Sequence, residues 1–178
     1  MPGRAFTRLV VATFGLLAFG CGAAARAQDS LEAAVKAAFL VKFAAFVGWP
    51  AATVDRRPLA LCVQGDDAVA GEIDRAAAGP ALLRPIVVRK LAAVDSSSDC
   101  DILYAAGSPR QTTDQALDAV RGLPVLTVTD SAPATHRGMI DFVVFDNRVR
   151  FHIDAGAASR AGLTISSKLL ALGLSVKR

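Results

Sequence analysis

Short apolar runs at residues 59–63, 85–89, 100–105 and 124–128 alternate with segments that carry helix signals, and this alternation constrains the fold more than any other feature. Asp66 or Asp67 stands where a helix cap belongs, ahead of a helix reaching about Ala77. Pro109, following Ser108 as cap, opens another helix that extends to Val120. Parallel strands need a long crossover between them, and crossover helices settle on the faces of the sheet. The expected architecture is a single three-layer α/β domain over residues 28–178, with a mixed, largely parallel sheet flanked by helices.

The pattern changes near the C-terminus. Residues 139–145 and 148–153 read as strands joined by Asp146-Asn147, a pair that tolerates positive φ and suits a two-residue hairpin turn. A turn that tight sets Phe142 opposite Phe151, Val144 opposite Val149 and Asp141 opposite His152. One face then collects Ile140, Phe142, Val144, Val149, Phe151 and Ile153. Asp154 caps a short helix to about Ala161, and Ser166-Ser167 starts a last one through Leu172. At the other end, Asp29 with Glu32 three residues later is placed to cap an amphipathic helix. Its apolar positions Leu31, Val35, Ala38, Phe39, Phe43, Phe46 and Val47 recur at three- and four-residue steps until Gly48-Trp49-Pro50 stops them.

Ahead of that helix, Arg4 and Arg8 precede an uncharged apolar run that ends in Ala25-Arg26-Ala27. This reads as a secretory signal peptide spanning residues 1–27 and cleaved before Gln28. The rival is a lipoprotein signal with Cys21 as the lipidated residue. With the leader set aside, the formal charge of +4 falls to a near-neutral 17 basic against 16 acidic residues. Nucleic-acid binding needs an excess of Lys and Arg on one face and is excluded on that balance. No second stretch is long and apolar enough to span a bilayer.

Export also bears on the cysteines. The processed chain keeps Cys62 and Cys100, an even number in an oxidising compartment, so a disulfide is the simplest account, with two buried free thiols as the alternative. Closing that loop stabilises the fold by about 3 to 4 kcal/mol in the chain-entropy model. Their spacing is unlike a zinc site, and no metal is expected.

Catalytic candidates are few. His136 sits in a turn beside Arg137 with no nucleophile motif near it. His152 with Asp141 resembles a base and its orienting carboxylate, yet on a strand face such a pair is ordinarily a sheet stabiliser. Gly65-Asp66-Asp67 reads as helix capping, and Asp95-Ser96-Ser97-Ser98-Asp99 as a solvated turn. There is no G-x-S-x-G elbow, Walker loop or G-x-G-x-x-G fingerprint. No catalytic residue and no cofactor are expected.

Two ends of the chain carry a family resemblance. Val35-Lys36-Ala37-Ala38-Phe39-Leu40, then Lys42-Phe43-Ala44 and Trp49-Pro50, resemble the opening helix of the YfiR-like family of periplasmic proteins. Gly138-Met139-Ile140-Asp141-Phe142, Arg148-Val149-Arg150-Phe151, Ala161-Gly162-Leu163 and Ile165-Ser166-Ser167-Lys168-Leu169-Leu170 resemble its closing signature. Between them, Leu61-Cys62-Val63, Gly65-Asp66 and Cys100-Asp101-Ile102-Leu103-Tyr104 also agree, Cys100 standing where the family often has its partner cysteine. The resemblance implies a non-enzymatic regulator that represses an inner-membrane diguanylate cyclase through its periplasmic region and is released by an outer-membrane OmpA-like lipoprotein. The output is the level of cyclic di-GMP, hence biofilm and motility. Phe39, Phe43, Phe46 and Trp49 are candidates for a partner-binding surface or for self-association as a homodimer, with core packing the favoured alternative for Phe39 and Phe43. A second class of function is a periplasmic small-ligand sensor whose pocket lies at the strand ends of the sheet.

Overall fold

The computed structural model describes residues 21–50, 58–79, 84–130 and 136–178. In chain order these form α1 (Cys21–Phe43), β1 (Val47–Gly48), β2 (Leu59–Gln64), α2 (Asp67–Ala77), β3 (Ile86–Leu91), β4 (Ile102–Ala105) and α3 (Thr113–Ala119). They continue with β5 (Leu126–Asp130), β6 (Ile140–Phe145), β7 (Arg148–Asp154), α4 (Ala155–Arg160), β8 (Thr164–Ile165), α5 (Ser167–Leu170) and β9 (Ser175–Lys177).

The main sheet has seven strands in the order β3-β2-β4-β5-β6-β7-β9, and β3 through β6 all run parallel. β7 returns antiparallel to β6 through the Asp146-Asn147 turn, and β9 runs parallel to β7. Both turn residues have positive φ, +49° and +56°. This gives the expected register, with Asp141 opposite His152, Phe142 opposite Phe151 and Val144 opposite Val149.

Side chains alternate across the parallel strands, so each strand feeds two cores. Leu61, Val63, Ile102, Tyr104, Leu126 and Val128 face α1 and α2. Cys62, Leu103 and Ala105 face Ala116 and Val120 of the α3 side. These are the helix–sheet–helix layers expected of the alternating pattern. Cys62 and Cys100 are joined by a disulfide with Cα atoms 5.8 Å apart, which ties β2 to the entry of β4.

Three expectations need correction. Asp29 does not begin a helix, because α1 already runs from Cys21. Residues 23–27 carry four alanines, so no intrinsic signal stops the helix there. The Arg4 and Arg8 part of the proposed signal lies outside the described residues. Pro109 does not open α3 either: Ser108 and Gln111 form a closed turn, and the cap falls on Thr112, whose side chain and that of Gln115 make a reciprocal capping box. The first helix ends at Phe43 rather than at Gly48, where Val47–Gly48 instead pair antiparallel with Thr164–Ile165. Val144 lies on the apolar face opposite Val149 as expected, and it is 54% exposed.

Candidate functional site

The apolar positions of α1 that recur every three or four residues form one side of an aromatic cluster. Phe43 is 1% exposed and meets Phe151 edge-on with ring centroids 5.3 Å apart. Phe39 lies one turn earlier and half-buried, also edge-on to Phe151 at 5.3 Å. Phe142 completes the group, 6.0 Å from Phe43. Of the four residues proposed for a surface, Phe43 is therefore core, while Phe39, Phe46 and Trp49 are half-buried against that core.

The chain after α1 is fixed at several points. Trp49 Nε1 donates to the carbonyl of Asp101 at 3.3 Å, and the carbonyl of Phe46 accepts from Ser166 N at 2.9 Å. Together with the β1–β8 pairing, these bonds hold Phe46 and Trp49 in one arrangement. The apolar strip continues onto the hairpin. Leu174 N donates to the carbonyl of Phe151 at 2.8 Å, and Val149, two residues from Phe151, faces Val144 across the strands. Val144 and Leu174 are 54% and 44% exposed.

Two turns before Phe43, α1 carries charge into the core. Lys36 lies on the same side as Leu40 and Phe43 and is only 5% exposed. Its ammonium ion-pairs with Glu32, one turn earlier, and with Asp130 at the end of β5. Tyr104 Oη donates to the same Asp130 carboxylate at 3.4 Å. Burial by itself lowers the Lys36 pKa, but hydrogen bonds and charges from Asp130 and Glu32 outweigh it and hold the ammonium above the ordinary lysine value. Burial, reinforced by the negative charge of Asp130, pushes the Tyr104 phenol far up, so it stays a neutral donor. Sequence reasoning missed this cluster. Its signal was a lysine on the apolar stripe with a glutamate four residues before it.

The remaining polar candidates are dispersed. Asp66 caps α2 by accepting from Val69 N at 2.9 Å. Asp95 accepts from the hydroxyl and amide of Ser97 and from the Ser98 hydroxyl, contacts that lower its pKa. Asp141 is 2% exposed and accepts from Thr129 Oγ1 at 2.7 Å, while its register partner His152 places Nδ1 2.6 Å from Ser175 Oγ. His136 Nδ1 lies 3.3 Å from Asp114. Among the described residues no group of three or more potential metal ligands gathers.

In a sheet of this order, the crevice between the ends of β2 and β4 is the usual place for a ligand. Here it is filled by the chain. Gln64 is fully buried, its amide donating to the carbonyl of Gln111 at 2.7 Å and accepting from Gly107 N at 3.0 Å. Gly65 at φ +87° lies so close to Gly107 that a Cβ would fall 1.6 Å from the Gly107 carbonyl oxygen. A cleft of about 320 Å³ remains on the far side of β2, beside Lys90 and Ser108.

The chain matches the family model described as YfiR/HmsC-like over residues 33–173, a span that contains the aromatic cluster, the disulfide and the hairpin. It belongs to the YfiR/HmsC-like family. At family level this is a group of periplasmic regulators of the diguanylate cyclase type. No curated protein gives a significant match. Among the described residues no helix is long and apolar enough to cross a membrane.

Proposed function

We propose that this YfiR/HmsC-like protein is exported by its N-terminal signal, is cleaved before Gln28, and represses an inner-membrane diguanylate cyclase by stoichiometric binding to its periplasmic region. Cyclic di-GMP, and with it biofilm formation, falls while the complex holds, and an outer-membrane OmpA-like lipoprotein releases it. The family match across residues 33–173 carries this reading. The contact surface we assign is the strip of Phe39, Phe46 and Trp49 continued by Val144 and Leu174, with Phe43 supporting it from beneath. A second copy of the chain competes for the same strip.

A periplasmic cross-linking pull-down of the tagged protein, read by mass spectrometry, tests the partner. Recovery of a membrane protein with a cytoplasmic cyclase domain supports the proposal, and its loss in a folded Phe46→Ala/Val144→Asp variant assigns the surface. Recovery of only the protein itself, or of a different sensor, overturns the cyclase assignment.

A further inference from the structure

A cleft of about 370 Å³ opens between the last turns of α3 and α4 and the starts of β5 and β6. Its rim carries Arg121, Arg137, Arg160 and His136, and among the described residues no carboxylate lines it. Its floor is apolar, with Leu117, Val120 and Met139.

Two of the three rim arginines are held by carboxylates, Arg121 by Asp118 and Arg137 by Asp141 at 3.4 Å, and His136 Nδ1 lies 3.3 Å from Asp114. Arg160 differs: it makes no ion pair among the described residues, although its Nη1, Asp154 Oδ1 and the Arg178 backbone gather around Gly156 and Asp154 feels its charge. A guanidinium presents paired donors matched to a carboxylate and stays charged at any working pH. One unpaired guanidinium above an apolar floor suits a ligand with one negative charge and an apolar body. The volume lies in the range of small-molecule sites.

We infer that this cleft binds a small carboxylate with an apolar tail, Arg160 taking the carboxylate and the Leu117, Val120 and Met139 floor taking the tail. The site is separate from the partner-binding strip, and its occupancy does not depend on the identity of the partner.

Of the two methionines in the chain, Met1 and Met139, Met139 alone lines the cleft, so its methyl resonance in selectively labelled protein reports on the site. Titration with octanoate is expected to shift that resonance saturably. Arg160→Ala, at an exposed position, is expected to weaken binding about tenfold, as loss of a charge-assisted contact does. Arg110→Ala, an exposed control outside the cleft, leaves the affinity unchanged. An equal shift with octanol or octylammonium, an unchanged affinity in Arg160→Ala, or no shift at all overturns the inference. A shift with a glutamate-rich peptide but not with octanoate also overturns it, in favour of an acidic protein segment.

Discussion

Replacing Lys36 with methionine removes a charge while keeping most of the side chain's volume, so the loss of stability reports on the ion pairs that join α1 to β5. The Lys36 side chain is 7% exposed, and the carboxylates of Glu32 and Asp130 are each 30% exposed. Removing one partner of a fully buried pair costs about 3–5 kcal/mol, because the other charge is left uncompensated. Here both carboxylates keep part of their hydration, which brings the expected cost of Lys36→Met to about 2 kcal/mol. For a chain of this size that lowers Tm by roughly 4–8 °C.

Urea unfolding of wild type, Lys36→Met, Asp130→Asn and the double variant closes a cycle, and the coupling between the two positions is expected to be at least about 1 kcal/mol. The dependence on pH gives a second readout. Because the folded Lys36 pKa is raised, its contribution is complete below the ordinary lysine value and is lost as pH rises through the folded value. Tyr104 also loses stability in alkali, since the unfolded tyrosine ionises from about pH 10 while the folded one stays neutral. Both proteins share the Tyr104 loss, so the difference between wild type and Lys36→Met isolates the lysine. A Lys36→Met variant within about 0.5 kcal/mol of wild type, or additive single variants, would refute the idea that these pairs clamp the helix.

Three further outcomes are expected. The disulfide closes a loop with a sequence separation of 38, so reduction or Cys62→Ala/Cys100→Ala should lower stability by about 4 kcal/mol, read from urea midpoints with and without reductant. Gly65→Ala should prevent folding, since its Cβ would overlap the Gly107 carbonyl, whereas Gly122→Ala, at φ +79° with nothing within 4 Å, should cost only about 1–2 kcal/mol. Soluble yield and unfolding midpoints separate the two. Asp154 caps α4, and although burial alone raises its pKa, the Ala157 amide and Lys177 outweigh it and lower the net value. Its contribution is present above the unfolded value and lost as pH falls through the folded one. Asp154→Ala should therefore cost about 1 kcal/mol near neutrality, with the gap to wild type closing below about pH 4 in acid titrations of stability.

What was legible in the sequence was whatever a local signal specifies. Strands β2, β3, β4 and β5, the caps Asp66, Asp154 and Ser166 and the hairpin register each rest on a few adjacent residues whose preferences agree with the fold. The misses have non-local causes. β1 and β8 are two residues long and β9 three, too short for a periodic pattern, and they exist because tertiary packing brings their backbones together. The cap at Thr112 depended on Ser108 closing a turn with Gln111, which no cap rule anticipates. Of the candidate surface, the aromatic spacing on α1 was readable but the exposure was not: Phe39 and Phe43 both meet Phe151 at 5.3 Å, yet only Phe43 is fully buried. Val144 and Leu174 entered the strip only when the register of β7 with β6 and the approach of Leu174 to Phe151 were known.

That arrangement has a consequence for how binding and folding are linked. α1 is held part-way along by Lys36 between Glu32 and Asp130, and the chain beyond its C-terminal end by the Trp49–Asp101 bond and the β1–β8 pair. A segment fixed on both sides, at Lys36 and at β1, presents Phe39 and Phe46 without a further loss of side-chain and backbone freedom, and such preordering is worth affinity because association otherwise bears that cost. Weakening the Lys36 end should therefore loosen the half of α1 that carries Phe39 while leaving Phe46 and Trp49 held by β8. Lys36→Met is then expected to weaken partner binding mainly through faster dissociation, by less than the loss from Phe46→Ala. If Lys36→Met binds as tightly as wild type while unfolding more easily, the clamp serves stability alone and the strip owes its order to the β1–β8 end.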